Sequence, residues 1–336
     1  MVPAGKVAII GDGVVAGFAA LAVEEAGWKA TVMSQTGEFT PPPAGAFYFH
    51  DLPETLRGMY PPQTSITTVL GEDPQAYSRK MWGQALPTSQ DKFVGEDDVA
   101  QAYSFQPQML RRMFSKADVL ISGRVTADQV REHAKKFDRV VVTVPISFTQ
   151  ERPQTARFHV VKAVRNKFFD AVCETPEEVK QRYQSGLLNT FAEAQSMRSR
   201  LDEVLERHGP SVVTIYTARD EHLWLRATYH PAAGRYEEPS IDLELPDSMF
   251  TINSWRVWAK KVGWTEGKLW RLFHEIRTSL KWASRDMRPV MKIHPENTVL
   301  NTPPADNVML TGRWATWRRD ELSHETYDAV KGWLSR

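Results

Sequence analysis

Gly11, Gly13 and Ala16 stand in the spacing G-x-G-x-x-A between an apolar run, "KVAII", and a segment of small apolar residues. The first glycine permits a tight turn, the second lets backbone approach a pyrophosphate, and the small third residue lets a helix lie close on a strand. A helix starting there turns unpaired N–H groups and its positive dipole end toward phosphates. A dinucleotide site is the chemistry this spacing supports, with a purely structural glycine turn as the alternative. About twenty residues later an acid is expected for the ribose hydroxyls. The second apolar run, "KATVM", is followed instead by Ser34 and Gln35, which offer neutral hydrogen bonds. NADP would need a cation for its 2′-phosphate, and residues 30 to 50 contain neither lysine nor arginine.

These residues need elements to hold them. "KVAII" reads as a buried parallel strand, residues 14 to 26 as a helix with Gly27 as its C-cap, and "KATVM" as the next strand: a βαβ unit. The proline-punctuated "TPPPAGAFYFHDLP" is a loop that can hold Phe47, Phe49 and His50 over a ligand. "PQMLRRMF" starts a helix at Pro107. "ADVLISGRV" and "DRVVVTVPI" are strands around the helical "TADQVREHAKKF", so the chain returns to the first sheet. From about 156 to 245 strands dominate, in "ARFHVVKAV", "SVVTIYTA", "HLWLRATYH" and "SIDLEL", interrupted by a polar helical stretch from 176 to 207.

Residues 254 to 292 read as helical and carry ten basic residues against three acids, with five tryptophans. Leu269, Phe273, Ile276 and Leu280 share one face, while Arg271, Arg277, Lys281 and Arg285 point away from it. Cations alternating with rings suit a nucleotide or a nucleic-acid strand. A solvated helix pair with inward tryptophans is the alternative.

Composition sets outer bounds. Of 336 residues, 42% are apolar, enough for a substantial core, and 42 basic residues nearly balance 41 acidic ones, so net charge draws the chain to neither nucleic acid nor membrane. Cys173, the single cysteine, rules out an internal disulfide and cysteine-based metal clusters and reads as a buried, inert thiol. No basic segment precedes an apolar run at the start and no stretch nears eighteen apolar residues, so a cytoplasmic protein without membrane attachment is expected. Motifs for P-loop, zincin and α/β-hydrolase chemistry are absent, and no metal site is expected.

Residues 307 to 334, within the last forty, read "NVMLTGRWATWRRDELSHETYDAVKGWL": strand, glycine turn, aromatic and basic loop, helix. In order with the motifs above, this resembles the FAD-dependent flavoproteins of the amine oxidase and UDP-galactopyranose mutase superfamily. The resemblance places Gly312 and Arg313 in the turn beside the flavin, with Trp317, Arg318 and Glu321 where the mutases carry aromatic, basic and acidic residues. "GAFYFHD" resembles the loop with a Phe-His pair beside the isoalloxazine. "ADQVREHAKKFDRVVVTVP" resembles the strand ending in proline that closes the FAD domain, and "LWLRATYH" a substrate-domain strand with an arginine near the flavin. Ser34 departs from the family's ribose-binding glutamate.

The resemblance implies an α/β fold: a discontinuous Rossmann-type FAD-binding domain (1–60, 114–150 and 293–336), a second, mixed β-sheet substrate domain (151–250), and helical insertions (61–113 and 251–292). Its cofactor is FAD, bound by Gly11, Gly13, Ala16, Ser34, Gln35, Phe49, Gly312, Arg313, Trp317 and Glu321. Catalytic roles fall to His50 as a proton donor or acceptor, Arg226 as an anion ligand and Arg313 as a cation near the charge of the reduced flavin. The competing readings are a backbone-bonded loop histidine for His50, an ion pair with an acid such as Glu238 for Arg226, and a structural ion pair for Arg313. The expected function is oxidation of a small or nucleotide-linked, anionic substrate. The alternatives are a redox-neutral mutase or lyase, including a lyase for a modified base in DNA bound through 254–292, and a non-catalytic dinucleotide-binding protein. The oligomeric state is left open.

Overall fold

The computed structural model describes residues 4–41, 48–70, 97–149, 155–164, 187–217, 226–232, 239–246, 288–291, 301–316 and 321–336. Strand β1 (Lys6–Ile10) is apolar after its first residue, and Val7, Ala8, Ile9 and Ile10 are all buried. That continuous pattern is what a strand covered on both faces requires. Helix α1 (Val14–Glu25) follows and is buried almost all round. Its alanines and Gly17 bring its axis close to the neighbouring elements. It ends in a Schellman arrangement: Gly27, at φ +78°, donates to the Glu24 carbonyl, and the Trp28 N–H donates to the Val23 carbonyl.

Strand β2 (Lys29–Ser34) then pairs parallel to β1, with Ile10 opposite Met33. Strand β3 (Tyr48–Phe49) and the short helix α2 (Glu54–Arg57) lead to β4 (Gln63–Leu70) and β5 (Asp98–Ser104). Helix α3 (Pro107–Met113) carries proline in its first turn. Strand β6 (Asp118–Ile121), helix α4 (Ala127–Lys136) and strand β7 (Arg139–Val142) return the chain to the first sheet. Thr126 and Gln129 close a capping box on α4.

The second half supplies β8 (Thr155–Val164), helix α5 (Leu187–His208), β9 (Val212–Thr217), β10 (Arg226–His230), β11 (Ser240–Pro246) and β12 (Arg288–Met291). Strand β13 (Val308–Leu310), the short helix α6 (Arg313–Thr316) and helix α7 (Glu325–Leu334) finish the chain.

Two sheets result among the described residues. The first has the order β13-β7-β1-β2-β6, and all four of its pairings are parallel. It draws strands from the beginning, middle and end of the sequence, as the discontinuous reading expects. The second has the order β12-β8-β11-β10-β9-β4-β5-β3 and is antiparallel except where β4 meets β9. Helix α5 covers one face of it, where Val213, Ile215, Ala227, Ile241 and Ile66 are buried and Arg200 donates to the Thr68 hydroxyl.

The span 61–113, expected to be a helical insertion, contains β4 and β5 of this second sheet. The β-branched residues of "QTSITTVL" and the pairing of β4 with β5 and β9 override the polar character that suggested helix. Residues 288–291, at the end of the span 251–292, are likewise a strand, paired with β8.

Candidate functional site

The site is built at the carboxyl end of the parallel sheet, where open α/β sheets bind ligands. Gly11 has φ +124°, and a Cβ added there would lie 2.3 Å from Thr143 Oγ1. Thr143, just past β7, donates to the Ile10 carbonyl at 2.8 Å. Only glycine lets the turn pass this close to the neighbouring strand end. At Gly13 an added Cβ would meet only the Thr40 carbonyl, at 3.9 Å. Gly13 caps α1 without any side-chain hydrogen bond, and the first turn of α1 holds no acid. Among the described residues the leading N–H groups of α1 therefore have neither an intrahelical nor a capping partner, the arrangement a pyrophosphate fits. Ala16 is fully buried in the core cluster between α1 and the sheet.

A second glycine turn arrives from the far end of the chain. Gly312, φ +81°, follows β13, and a Cβ on it would lie 2.6 Å from Val15 Cγ1. The two ends of the sequence are thereby in contact. Glu321 sets this turn: it accepts from the Gly312 N–H at 2.5 Å, from Thr311 Oγ1 at 3.1 Å and from Thr316 Oγ1 at 2.6 Å. Arg313, half-buried, opens α6. Asn301 pins α6 from behind, donating through Nδ2 to the carbonyls of Ile146 and Ala315 and accepting from the Phe148 N–H. Trp317 and Arg318 lie outside the described residues.

Ser34 is fully buried at the end of β2. Its hydroxyl donates to Asp12 Oδ2 at 2.7 Å and accepts from the N–H groups of Gly37 and Thr36. Gln35, exposed, gives its backbone N–H to the same Asp12 oxygen at 3.3 Å, and Thr40 Oγ1 donates to Asp12 Oδ1 at 2.9 Å. Asp12, the residue between the two glycines, is the acid of this site. The glycine motif does not mark it, because it fills a variable position.

Phe49 lies in the core cluster, 2% exposed, edge-on to Phe18 with ring centroids 5.3 Å apart. His50, beside it, is exposed and faces His324, with ring centroids 6.4 Å apart. Desolvation by the surrounding chain holds His50 below the ordinary histidine value, outweighing the charges of Asp98 and Glu325. His324 is also lowered, by burial first and by His50, against Glu325 and Asp51. Nothing in the local sequence marks His324 as a partner; it comes from the residue capping α7. Asp51 holds the same loop through a two-pronged pair with Arg57.

Arg226 makes a forked pair with Glu244 on the neighbouring strand and donates to the Tyr216 hydroxyl at 3.1 Å. The observed acid is thus Glu244, the register partner of Arg226, rather than Glu238, which lies outside the described residues. This pair belongs to a buried polar row on the sheet face opposite α5. Thr214, Thr228 and Asp242 are cross-strand partners in that row, with His230 and Ser240 beside them. His230 Nε2 lies 3.6 Å from Asp242 Oδ2, and both residues are buried. Among the described residues the buried hydroxyls of Thr214, Thr228 and Ser240 meet no hydrogen-bond partner.

Among the described residues no group of three or more histidine, cysteine, aspartate or glutamate side chains is placed to hold a metal. No described helix is long and apolar enough to cross a membrane. Residues 254–287 of the basic, tryptophan-rich stretch, and Cys173, lie outside the described residues.

No family model and no curated protein matches the chain. Solved structures do match. FqzB is similar with a TM-score of 0.51 at 10% identity, over 99% of this chain and 74% of that one. Reduced UDP-galactopyranose mutase matches with a TM-score of 0.48 at 11% identity, over 98% of this chain and 95% of that one. A point mutant of MHPCO, 2-methyl-3-hydroxypyridine-5-carboxylic acid oxygenase, matches with a TM-score of 0.48 at 13% identity, over 98% of this chain and 81% of that one. At these identities the likeness to FqzB concerns the fold: this chain has the two-sheet α/β architecture, with its parallel-sheet domain assembled from separate pieces of sequence.

Proposed function

We propose that the protein is an FAD-dependent enzyme, and that it is an oxidoreductase acting on a small or nucleotide-linked substrate. The meeting of two glycine turns from opposite ends of the chain carries this reading: Gly11–Gly13 and Gly312 converge at one end of the parallel sheet, around the uncapped start of α1. Both turns also carry the resemblance to the flavoprotein superfamily. In this reading the N–H groups of α1 hold the pyrophosphate, and the small side chains around the turns leave room for backbone to approach it.

When bound, FAD supplies a two-electron acceptor for hydride transfer. The chain's own groups do the rest. Arg313 places a cation at the Gly312 turn, which Glu321 and Asn301 hold in shape. His50, which desolvation holds below the ordinary histidine value, accepts a proton at an imidazole nitrogen, with His324 as its neighbour.

The test is the absorbance spectrum of the purified protein from about 300 to 550 nm, before and after heat release of any ligand. Two flavin bands are the expected result. A spectrum that stays flat after incubation with FAD would overturn the proposal. With flavin present, lasting anaerobic bleaching by substrate marks an oxidation, whereas product formed without net bleaching marks a redox-neutral reaction.

A further inference from the structure

We propose that Asp12, inside the glycine turn, is the carboxylate that receives an adenosine ribose hydroxyl of the dinucleotide, and so stands in for the acid that β2 lacks. The inference rests on the FAD reading above and deepens it by naming the residue that selects the adenosine end. Ser34 cannot serve: its single proton is given to Asp12, its oxygen already accepts two N–H groups, and it is fully buried. Gln35 contributes its backbone to Asp12 as well.

Register explains how an acid from the turn reaches the end of β2. Ile10 is paired with Met33, and the Gly11 N–H donates to the Met33 carbonyl at 3.1 Å. The residue after Gly11 and the residue after Met33 are therefore neighbours at the sheet edge. Three donors from the end of β2 and its following loop then aim the Asp12 carboxylate. Ser34 Oγ and the Gln35 N–H occupy Oδ2, and Thr40 Oγ1 occupies Oδ1. An ionised carboxylate has about four acceptor positions, so one remains on Oδ1, and Asp12 is only half-buried. That leaves room for one hydroxyl proton. The same charge repels a 2′-phosphate, which gives a positive reason for excluding NADP beyond the missing cation.

The experiment measures dissociation constants by flavin fluorescence for FAD and for FAD lacking both adenosine ribose hydroxyls, using wild type and Asp12→Ala. Wild type is expected to prefer FAD by about tenfold to a hundredfold, the range of a hydrogen bond to a charged group. Asp12→Ala is expected to bind both ligands alike. Should the alanine variant not fold, Asp12→Asn, which keeps an oxygen in the turn, is expected to show a reduced preference. Equal binding of both ligands by wild type, or an undiminished preference in the folded variant, overturns the assignment of Asp12 and leaves the flavin reading standing. Failure of wild type to bind FAD at all overturns both.

Discussion

Phe49 shows how one position can carry two meanings. A Phe-His pair in a loop points to ring contact with a cofactor, yet the phenyl group packs edge-on against Phe18 inside the core of α1 and β3. Truncation to alanine should therefore cost about 3–5 kcal/mol in the ligand-free protein, the usual range for a buried phenylalanine. Urea denaturation of Phe49→Ala checks this, and a midpoint unchanged from wild type would return the ring to the site surface. Ser34 teaches the complementary lesson. The missing acid was legible, but its replacement was not, because Asp12 becomes relevant only when β1 and β2 pair in register and the loop to Thr40 folds back.

Among the elements, the second sheet separates structural from chemical use of polar residues. Its face under α5 is mainly apolar, with Thr68 bonded to Arg200, whereas the opposite face carries Thr214, Thr228, His230, Ser240, Asp242 and Glu244, all buried. An unmet buried hydroxyl costs about 1–3 kcal/mol, and replacing it by an isosteric methyl removes that cost. Thr228→Val should thus raise ligand-free stability by roughly 1 kcal/mol in chemical denaturation. A destabilised variant would mean that the hydroxyl has a partner in the folded protein. The strands at 212–217 and 226–230 were readable from their β-branched and aromatic residues. Strands β4 and β5 were not, because β4 takes its place from pairing with β9, far away in sequence, and β5 takes its own from β4.

For the molecule as a whole, long-range ties join segments that composition leaves unrelated. Helix α7 packs on α1, and Tyr327 donates to Glu25 while Lys331 lies 3.3 Å from the same carboxylate. Asp97, its side chain 4% exposed, ties the start of β5 to Arg200, Arg207 and His208 of α5. Burial alone would raise the Asp97 carboxyl, but the hydrogen bonds from Thr68 and His208 and the two arginine charges hold it below the ordinary 3.8. A depressed carboxyl stabilises the fold above its unfolded value and loses that contribution as pH falls through the folded one. His50 and His324, lowered from 6.5, act in the same direction, since protons taken up on unfolding destabilise the fold as pH drops below about 6.5. The melting temperature should fall modestly below about pH 6.5 and steeply below about pH 4, and Asp97→Asn should flatten the second stage. A melting temperature constant from about pH 7 to 3 would contradict this account.

What the sequence determined by itself is local: the G-x-G-x-x-A turn, the buried strand before it, the capped helices and the second glycine turn at Gly312. Each depends on spacing and on backbone freedom within a few residues, and those are written in the chain directly. Only the tertiary structure decided that Gly312 touches Val15, that Glu321 braces that turn, that His324 stands by His50 and that Asp12 is the acid at the end of β2. These are contacts between segments brought together by sheet order and register, and a parallel sheet places its neighbours without regard to their distance along the chain.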